Sequence, residues 1–472
     1  MIQIETYHGK DDKGLHGHDG PIHVSRGSYH PKRLAGEFIA SAAKVGWPEV
    51  DDVQDLETIN AVSRAYRYIS PDGKRQDAAT CYLHPLLKDG KHPNLHVLVE
   101  SQVKRILFDN NKAVGIEFRP NPTFGGDATA IRTIKARKLV IGSCGACGTP
   151  SLLERSGLGD PKVLQTAGVP LVAPLPGVGN GYEDHHLLMY PYHNTLSDAD
   201  TLDALVYGRM GSPEELIKQN HPMLGWNGQE VQGKARPTDA EAAALGPEFK
   251  AAWDSEFKPH PDKPMVIFTA LAGFPGDPSL APGGPGLAMT TFTVYPFSRG
   301  HIHITGPRLE DALDFETGFF DDRGGVDVKK HVWAYKKQRE IMRRMPCYRG
   351  EVVACHPPFA ADSRAALIRI DGPLSDDVPD IEYSAEDDAV LEKWLRENVS
   401  TTWHSLGTCK MAPRSENGVV DANLGVYGVE GLKIADMSIV PRNVAANTNN
   451  TALAIGEKAA DIFIRELGQG LE

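Results

Sequence analysis

Leu432-Lys-Ile-Ala-Asp436 and the segment that follows it, Asn447-Thr-Asn-Asn-Thr-Ala-Leu453, decide the fold. The first is a short apolar strand that ends in a carboxylate, and the second is a run of small polar residues typical of a helix start. We expect the helix to begin near Asn447 or Thr448 and to end at Gly468. Its predicted apolar face comprises Leu453, Gly456, Ala460, Phe463 and Leu467. Since a helix N-terminus beyond the carboxyl end of a strand offers free N–H donors, this stretch predicts an α/β fold with an anion-binding end.

A histidine motif lies upstream of this stretch, in Trp403-His404-Ser-Leu-Gly407-Thr408. A lone histidine is usually structural. Next to a helix N-terminus that stabilises negative charge, however, the imidazole suits a general base beside a cofactor that becomes negative during turnover. The spacing therefore favours a catalytic site.

Other segments predict the surrounding elements. An apolar run at Lys138–Gly142 is typical of a buried strand, and a helix with Thr149 as N-cap and Pro150 at its first position should follow. Alternating or periodic patterns predict a three-stranded meander over 95–118 with strands at Leu95–Val99, Val103–Phe108 and Ala113–Phe118, a strand over 301–305, and helices over 329–345 and 385–397, the last capped by Ser384.

Four further patterns have less specific interpretations. Cys144 and Cys147 have CxxC spacing, but no second ligand pair is evident, so we interpret them as part of a strand-to-helix connection. The glycines at 177, 179 and 181 lack the spacing of a dinucleotide fingerprint and are interpreted as a loop. The histidines at 16, 18 and 23 are interpreted as solvated, and those at 301 and 303 share one strand face that is either a metal site or a partly exposed surface.

Composition excludes several classes of protein. The 472 residues carry a formal net charge of −12, which argues against a nucleic-acid or anionic-membrane partner. No apolar run is long enough for a membrane span, and the first residues lack the apolar core of a signal peptide. Six scattered cysteines fit a reducing compartment. We therefore expect an intracellular, cytoplasmic protein, and the ending Gly-Leu-Glu472 differs from the SKL-type peroxisomal signal.

Several of these segments, in this order, resemble the glucose–methanol–choline (GMC) flavoprotein oxidoreductases over nearly the whole chain. The matching segments are Gly145-x-x-x-Thr149-Pro150-x-Leu152-Leu153-x-x-Ser156-Gly157-Leu158-Gly159, Leu175-Pro-Gly-Val-Gly179 with Asp184-His185, Ser298-Arg-Gly300, and His404-x-x-Gly407-Thr408. Within the family, the segments Tyr295–Gly300, Val332–Lys337, Arg343–Met345 and Thr402–Thr408 are similar to those of fungal and yeast alcohol (methanol) oxidases. Formate oxidases are neighbours within the same family.

The resemblance implies a mixed α/β fold, with a partial FAD-binding domain and a substrate-binding domain that has an antiparallel sheet and helices. The implied boundaries are 1–187 for the FAD-binding region, 188–293 for a substrate-domain or linker region, and 294–467 for a C-terminal domain with the catalytic histidine. The implied catalytic residues are His404, as base, and Asn447 beside it. The implied FAD contacts are Val103, Trp403, Ala435, Asp436, Asn447 and Thr448, and no metal is implied.

The implied function is oxidation of a short primary alcohol such as methanol, with hydride transfer to FAD and reoxidation by oxygen to give hydrogen peroxide. Methanol metabolism would be the setting, formate oxidase or another GMC dehydrogenase is the alternative, and a homo-oligomer is left open. The GxGxxG turn with which family members begin is not evident in this sequence. A truncated, non-catalytic remnant, poorly soluble and unable to hold FAD, is therefore the alternative from another class.

Overall fold

The computed structural model describes residues 4–10, 13–280 and 283–468. Contacts between residues divide the chain into two compact units. Unit 1 comprises Met1–Lys88, His186–Val294 and Arg323–Ser400, and unit 2 comprises Asp89–His185, Tyr295–Asp322 and Thr401–Glu472. Each unit is thus assembled from three separate stretches of chain, and the division into three consecutive domains stays a prediction.

The described secondary structure is a mixture of short strands and helices, as the predicted α/β class requires. The strands are β1 (Glu5–Tyr7), β2 (Ile22–Val24), β3 (Ala61–Arg64), β4 (Ser101–Asp109), β5 (Lys112–Pro120), β6 (Arg132–Lys135), β7 (Val140–Gly142), β8 (Leu158–Gly159), β9 (Ala173–Pro174), β10 (Asn180–Tyr182), β11 (His186–Asn194), β12 (Gln229–Ala235), β13 (Val266–Leu271), β14 (Ala288–Thr293), β15 (Gly300–Ile304), β16 (Leu313–Glu316), β17 (Tyr348–Glu351), β18 (Ser400–Thr401) and β19 (Leu432–Ile434). The α-helices are α1 (Lys32–Lys44), α2 (His84–Lys88), α3 (Gly145–Arg155), α4 (Pro161–Thr166), α5 (Asp203–Val206), α6 (Pro213–Lys218), α7 (Asp239–Ala244), α8 (Pro247–Ala252), α9 (Val326–Arg343), α10 (Ala385–Asn398) and α11 (Asn449–Glu466).

Unit 1 is built on an antiparallel sheet with the strand order β17-β11-β14-β13-β12-β3. Helices α1 and α9 pack on this sheet and on each other. Aromatic side chains fill the contact, where Trp47 stacks on Phe268 at 4.9 Å between ring centroids and lies 6.1 Å from Trp333. The predicted helices over 329–345 and 385–397 are confirmed as α9 and α10, and Ser384 caps α10 in a reciprocal capping box with Asp387.

Unit 2 contains smaller sheets packed on apolar side chains. The β4-β5-β6 meander and β10-β15-β16 are antiparallel, whereas β7 and β19 form a parallel pair. Helix α3 contacts both β4 and β15. The main core beneath them is made of apolar side chains and includes Ile106, Leu153, Leu158, Val420, Ile434 and Phe463. The strand predicted over 432–436 is therefore confirmed, with its end shortened to Ile434.

Two predicted elements are wrong in position. Leu95–Val99 is not a strand, and its side chains Val97, Leu98 and Val99 are exposed, so the third strand of the meander is β6. Alternation alone does not make a strand when no partner ladder lies beside it. On α11, the buried positions are Ala459 and Phe463, whereas Gly456 and Ala460 are exposed. The apolar face is rotated from the predicted one because Ile455 and Ile462 also pack on the core.

Helix α3 begins five residues earlier than predicted. Its first residue is Gly145 and its N-cap is Cys144, so Pro150 lies inside the helix. A proline in a helix interior leaves the carbonyl four residues earlier without its usual N–H donor, which here is the carbonyl of Ala146. The hydroxyl of Thr408 donates to that oxygen at 2.6 Å and so replaces the missing backbone bond.

Within the described residues, no helix combines the length and apolarity that crossing a membrane requires.

Candidate active site

The segment 401–408 is fixed in unit 2 by one buried carboxylate. Asp184 is 1% exposed, and its Oδ1 accepts from the backbone N–H of His404 at 3.0 Å and from the hydroxyl of Thr402 at 3.1 Å. Its Oδ2 accepts from the hydroxyls of Thr401 and Tyr182. Because one side chain holds both ends of a tight turn, the backbone that carries His404 has little freedom.

The adjacent Glu183 holds a second segment in place. Its backbone exchanges hydrogen bonds with Leu406 at 3.0 and 3.1 Å. Its carboxylate accepts from the backbone N–H of Asn443 at 3.0 Å and pairs with Arg299 at 2.9 Å. Glu183 thereby ties the histidine segment to the loop that leads into α11.

The His404 ring is half-buried and contacts a second histidine. Its Nδ1 lies 3.0 Å from Nδ1 of His185, and the two rings meet edge to face with centroids 5.1 Å apart. Burial lowers the pKa of His404, and the negative charge of Asp184 opposes this with a smaller effect. The ring is therefore neutral near pH 7 and able to accept a proton.

His185 carries the contact further, toward the loop before α11. Its ring is fully buried, and its Nε2 lies 2.9 Å from the carbonyl oxygen of Val444. Sequence reasoning assigned no role to His185. The only signal was its place in the Asp184-His185 segment that resembles the family, next to the carboxylate that holds His404.

Asn447 and Thr448 stand at the start of α11, as the sequence predicts to within two residues. Asn447 is exposed, whereas Thr448 is buried and is the N-cap of the helix. The Thr448 side chain makes no capping hydrogen bond, which leaves the first-turn N–H groups of α11 available to another acceptor. The bond between His185 and Val444 brings the His404 side of the site to this loop.

The Asp436 carboxylate accepts hydrogen bonds from groups of the protein itself. It accepts from the hydroxyl of Thr149 at 2.6 Å and from the backbone N–H groups of Gly145 and Ser438 at 3.1 and 2.7 Å. It thus joins the end of β19 to the start of α3. The neighbouring Ala435 donates its N–H to the carbonyl of Gly142. That Ala435 and Asp436 border FAD stays a prediction.

Trp403 and Val103 have contrasting surroundings. Trp403 is 77% exposed and has a φ of 58°, in the left-handed region that a bulky side chain rarely adopts. The hydroxyl of Thr401 accepts from its backbone N–H at 2.7 Å and helps to hold that conformation. Val103 lies in β4 opposite Phe118, beside an irregularity in the ladder. Its predicted contact with an adenine ring stays a prediction.

These residues fit the ring end of a flavin. A flat, exposed indole precedes a half-buried neutral imidazole, and the N-cap of α11 leaves N–H donors open to an anionic group. Trp403, His404, Asn447 and Thr448 would hold the ring system.

Two of the remaining motifs border the 401–408 segment, where the Cys147 thiol hydrogen-bonds with Ser405 and the backbone N–H of Gly179 donates to the carbonyl of Thr408 at 2.8 Å. Cys144 and Cys147 are free thiols. His303 pairs with the fully buried Glu154 at 2.6 Å, and His16 lies between Glu5 and Asp52. Burial lowers the pKa of His16, but the two carboxylates outweigh it and raise the pKa to about 9. Gly177 and Gly179 lie in the turn that leads into β10, which confirms the loop interpretation for these two, whereas Gly181 lies inside the strand. Within the described residues, no group of three or more His, Cys, Asp and Glu side chains is placed to hold a metal ion.

Comparison with known proteins places the chain among the relatives that its motifs resemble. The GMC oxidoreductase family models match residues 3–187 and 296–456. The alcohol oxidase of Candida boidinii is 37% identical over 99% of this chain and 77% of its own length. Alcohol oxidase 1 of Komagataella phaffii is 35% identical with the same coverage.

Solved structures share the fold at lower identity. A formate oxidase of Aspergillus oryzae matches with a TM-score of 0.78 and 19% identity, over 98% of this chain and 76% of its own. An FAD-dependent oxidoreductase of Chaetomium thermophilum matches with a TM-score of 0.76 and 22% identity, over 99% of this chain and 80% of its own. Together with the family-model matches, which include the segments around Asp184 and His404, these comparisons show that the chain belongs to the GMC oxidoreductase family.

Proposed function

We propose that this protein oxidises short primary alcohols to aldehydes with FAD as its cofactor, and that oxygen is the final acceptor and leaves as hydrogen peroxide. The observation that carries the proposal is the pairing of a half-buried, neutral His404 with His185, which in turn contacts Val444 in the loop before α11. The alcohol oxidase names of relatives at 35–37% identity support the same substrate class.

His404 takes the proton of the substrate hydroxyl. Removing that proton raises the electron density on oxygen and makes the carbinol carbon a better hydride donor. When bound, FAD supplies the acceptor for that hydride. Asn447 has a neutral amide that both donates to and accepts from a hydroxyl, and it orients the alcohol beside the base. The open N–H groups at the start of α11 stabilise the negative charge that develops next to them.

Replacement of the base tests the mechanism. In FAD-loaded protein, His404→Ala is expected to lower kcat for methanol by about 10²–10⁴, the usual contribution of a positioned general base. His303→Ala is the control, because His303 is a buried imidazole in the same unit that contacts Glu154, a partner outside the 401–408 segment. Turnover of His404→Ala within a few-fold of wild type would contradict the role of His404.

The charge of the substrate distinguishes alcohol oxidation from formate oxidation. Formate is an anion, and its carboxylate would need a fixed cation once desolvated. The proposed orienting group, Asn447, is neutral. We expect a higher kcat/KM for methanol than for formate, measured by hydrogen peroxide release at equal enzyme concentration. A preference for formate would replace alcohol oxidase by formate oxidase as the proposed function.

A further inference from the structure

The two nitrogens of His185 face partners of different character. Nε2 lies 2.9 Å from the carbonyl oxygen of Val444, and Nδ1 lies 3.0 Å from Nδ1 of His404. A carbonyl oxygen only accepts, so Nε2 of His185 must carry the hydrogen of that bond. In a neutral imidazole the other nitrogen then has a lone pair, and the neutral form is favoured where the ring is fully buried.

The same reasoning assigns the donor and acceptor nitrogens of the His404 ring. Since Nδ1 of His185 accepts, Nδ1 of His404 must donate, and the lone pair of neutral His404 lies on Nε2. We propose that His185 is a positioning residue that holds His404 in the Nδ1–H tautomer, so that Nε2 is the atom that removes the substrate proton. The inference rests on the proposed function of His404 as base.

The arrangement also favours the product of that proton transfer. The alcohol O–H bond breaks and an Nε2–H bond forms, which makes His404 an imidazolium while its Nδ1–H still donates to His185. A hydrogen bond from a cation is stronger than the same bond from a neutral ring, so His185 stabilises the charged state that forms in the reaction. Because the chain of bonds ends on the Val444 carbonyl, the proton stays on Nε2 of His404 instead of passing through His185.

Three consecutive residues divide the task of holding this base. Asp184 fixes the backbone N–H of His404, His185 fixes its ring, and Glu183 fixes the loop that contains Val444 through the N–H of Asn443. The acceptor for His404 is therefore itself anchored at both of its ring nitrogens. This is the pattern of a base whose orientation is set by a third group.

Nitrogen-15 NMR of protein labelled in its histidine rings tests the tautomer directly and needs no turnover. The His404 signals are assigned by their loss in His404→Gln. We expect a protonated Nδ1 and an unprotonated Nε2 above the pKa of His404, and protonation of Nε2 below it. A neutral His404 with its hydrogen on Nε2 would overturn the proposal, and this result depends on no variant of His185.

Substitutions of His185 add a functional readout. His185→Leu removes the acceptor, and we expect a mixed His404 tautomer and a fall in kcat of about tenfold to a hundredfold, as for other outer partners of a functional imidazole. His185→Asn keeps an oxygen acceptor on a short side chain and should restore the tautomer and part of kcat. An unchanged tautomer in folded His185→Leu would overturn the proposal.

His303→Leu is the matched control for the loss of a buried histidine. It removes the partner of Glu154 and should lower thermal stability without changing the His404 spectrum. The proposed function is judged separately, by the turnover of His404→Gln. If that variant keeps full turnover, the proposed function fails; if it loses turnover while the wild-type tautomer is the opposite one, only the inference about His185 fails.

Discussion

At His404, burial and a neighbouring carboxylate act on the same pKa in opposite directions. Burial is the larger effect and lowers the pKa, and the charge of Asp184 raises it. The Asp184 carboxylate already accepts hydrogen bonds from backbone and hydroxyl donors, which accounts for its smaller effect on the pKa of the His404 ring. A base prepared in this way is unprotonated over most of the physiological range.

This balance predicts the acidic limb of the pH–rate profile. Lowering the pKa of His404 keeps the ring neutral to lower pH, so kcat/KM should fall only below a midpoint that lies under 6.5. Steady-state rates of methanol oxidation from pH 4.5 to 8 measure the midpoint. An acidic limb centred above 6.5 would contradict the expectation, and the residual activity of His404→Ala should show no such limb.

Single residues of the site differed in how visible they were in the sequence. His404 was found because a small, specific motif surrounds it. The contact with His185 joins residues that are 219 positions apart, and neither periodicity nor spacing reports a pairing at that separation. Its chemistry depends on which nitrogen faces which partner, and only the three-dimensional arrangement provides that information.

At the level of elements, helix α3 shows how a distant side chain makes a helix-breaking residue acceptable. Pro150 removes the donor to the Ala146 carbonyl, and the buried hydroxyl of Thr408 supplies another. Thr408 also belongs to the motif that contains His404. One residue therefore links helix α3 to the segment that carries the candidate base. A buried carbonyl that loses its partner costs about 1–3 kcal/mol.

A double-mutant cycle measures this substitution of one donor by another. Thr408→Val should lower the free energy of unfolding by about 1–3 kcal/mol, because the Ala146 carbonyl is left unsatisfied. Pro150→Ala restores an N–H at position 150, so the same threonine change should cost less in that background. Urea unfolding of the four proteins gives the coupling energy. Equal costs of Thr408→Val in the two backgrounds would contradict the proposed relation.

Elements were predictable where their signals are local. The capping box of α10 lies within four residues of sequence, and the prediction with Ser384 as cap is confirmed. The start of α3 was wrong because Pro150 is usual at a first helical position, and the compensating Thr408 is remote in sequence. Leu95–Val99 was wrong for a related reason, since a strand requires a partner that a single segment does not reveal.

For the molecule as a whole, buried neutral histidines couple stability to pH. In unit 1, burial lowers the pKa of His356 to about 4 and that of His331 to about 3. Both rings are almost fully shielded from solvent. Their pKa values in the folded protein lie below the unfolded value of about 6.5. The unfolded chain therefore binds more protons between pH 6.5 and pH 4, and the free energy of unfolding falls as pH falls through that window.

The expected loss is on the order of 2 kcal/mol per histidine between pH 7 and pH 5. His356→Gln removes one titrating group and should reduce the difference in unfolding free energy between these two pH values by about that amount. Urea unfolding followed by tryptophan fluorescence at pH 7 and pH 5 provides the measurement. A variant with the same pH dependence as wild type would show that His356 titrates equally in both states.

The mixed α/β class was accessible from composition and motif order, and the structure confirms it. The assembly of each unit from three stretches was not, because contacts between distant stretches are made by side chains on elements that look alike in sequence. In unit 2, the parallel partners β7 and β19 are separated by nearly three hundred residues. Their short apolar runs predict burial but not which strand lies beside which.

The alternation of stretches between the two units has a consequence for biosynthesis. The sheet of unit 1 includes β3 near the start of the chain and β17 much later in the sequence. The parallel pair of unit 2 cannot form until β19 has been synthesised. A ribosome must therefore translate most of the message before either core closes. The nascent chain meanwhile exposes strands such as β12–β14, and we expect it to be prone to aggregation until their partners have been made.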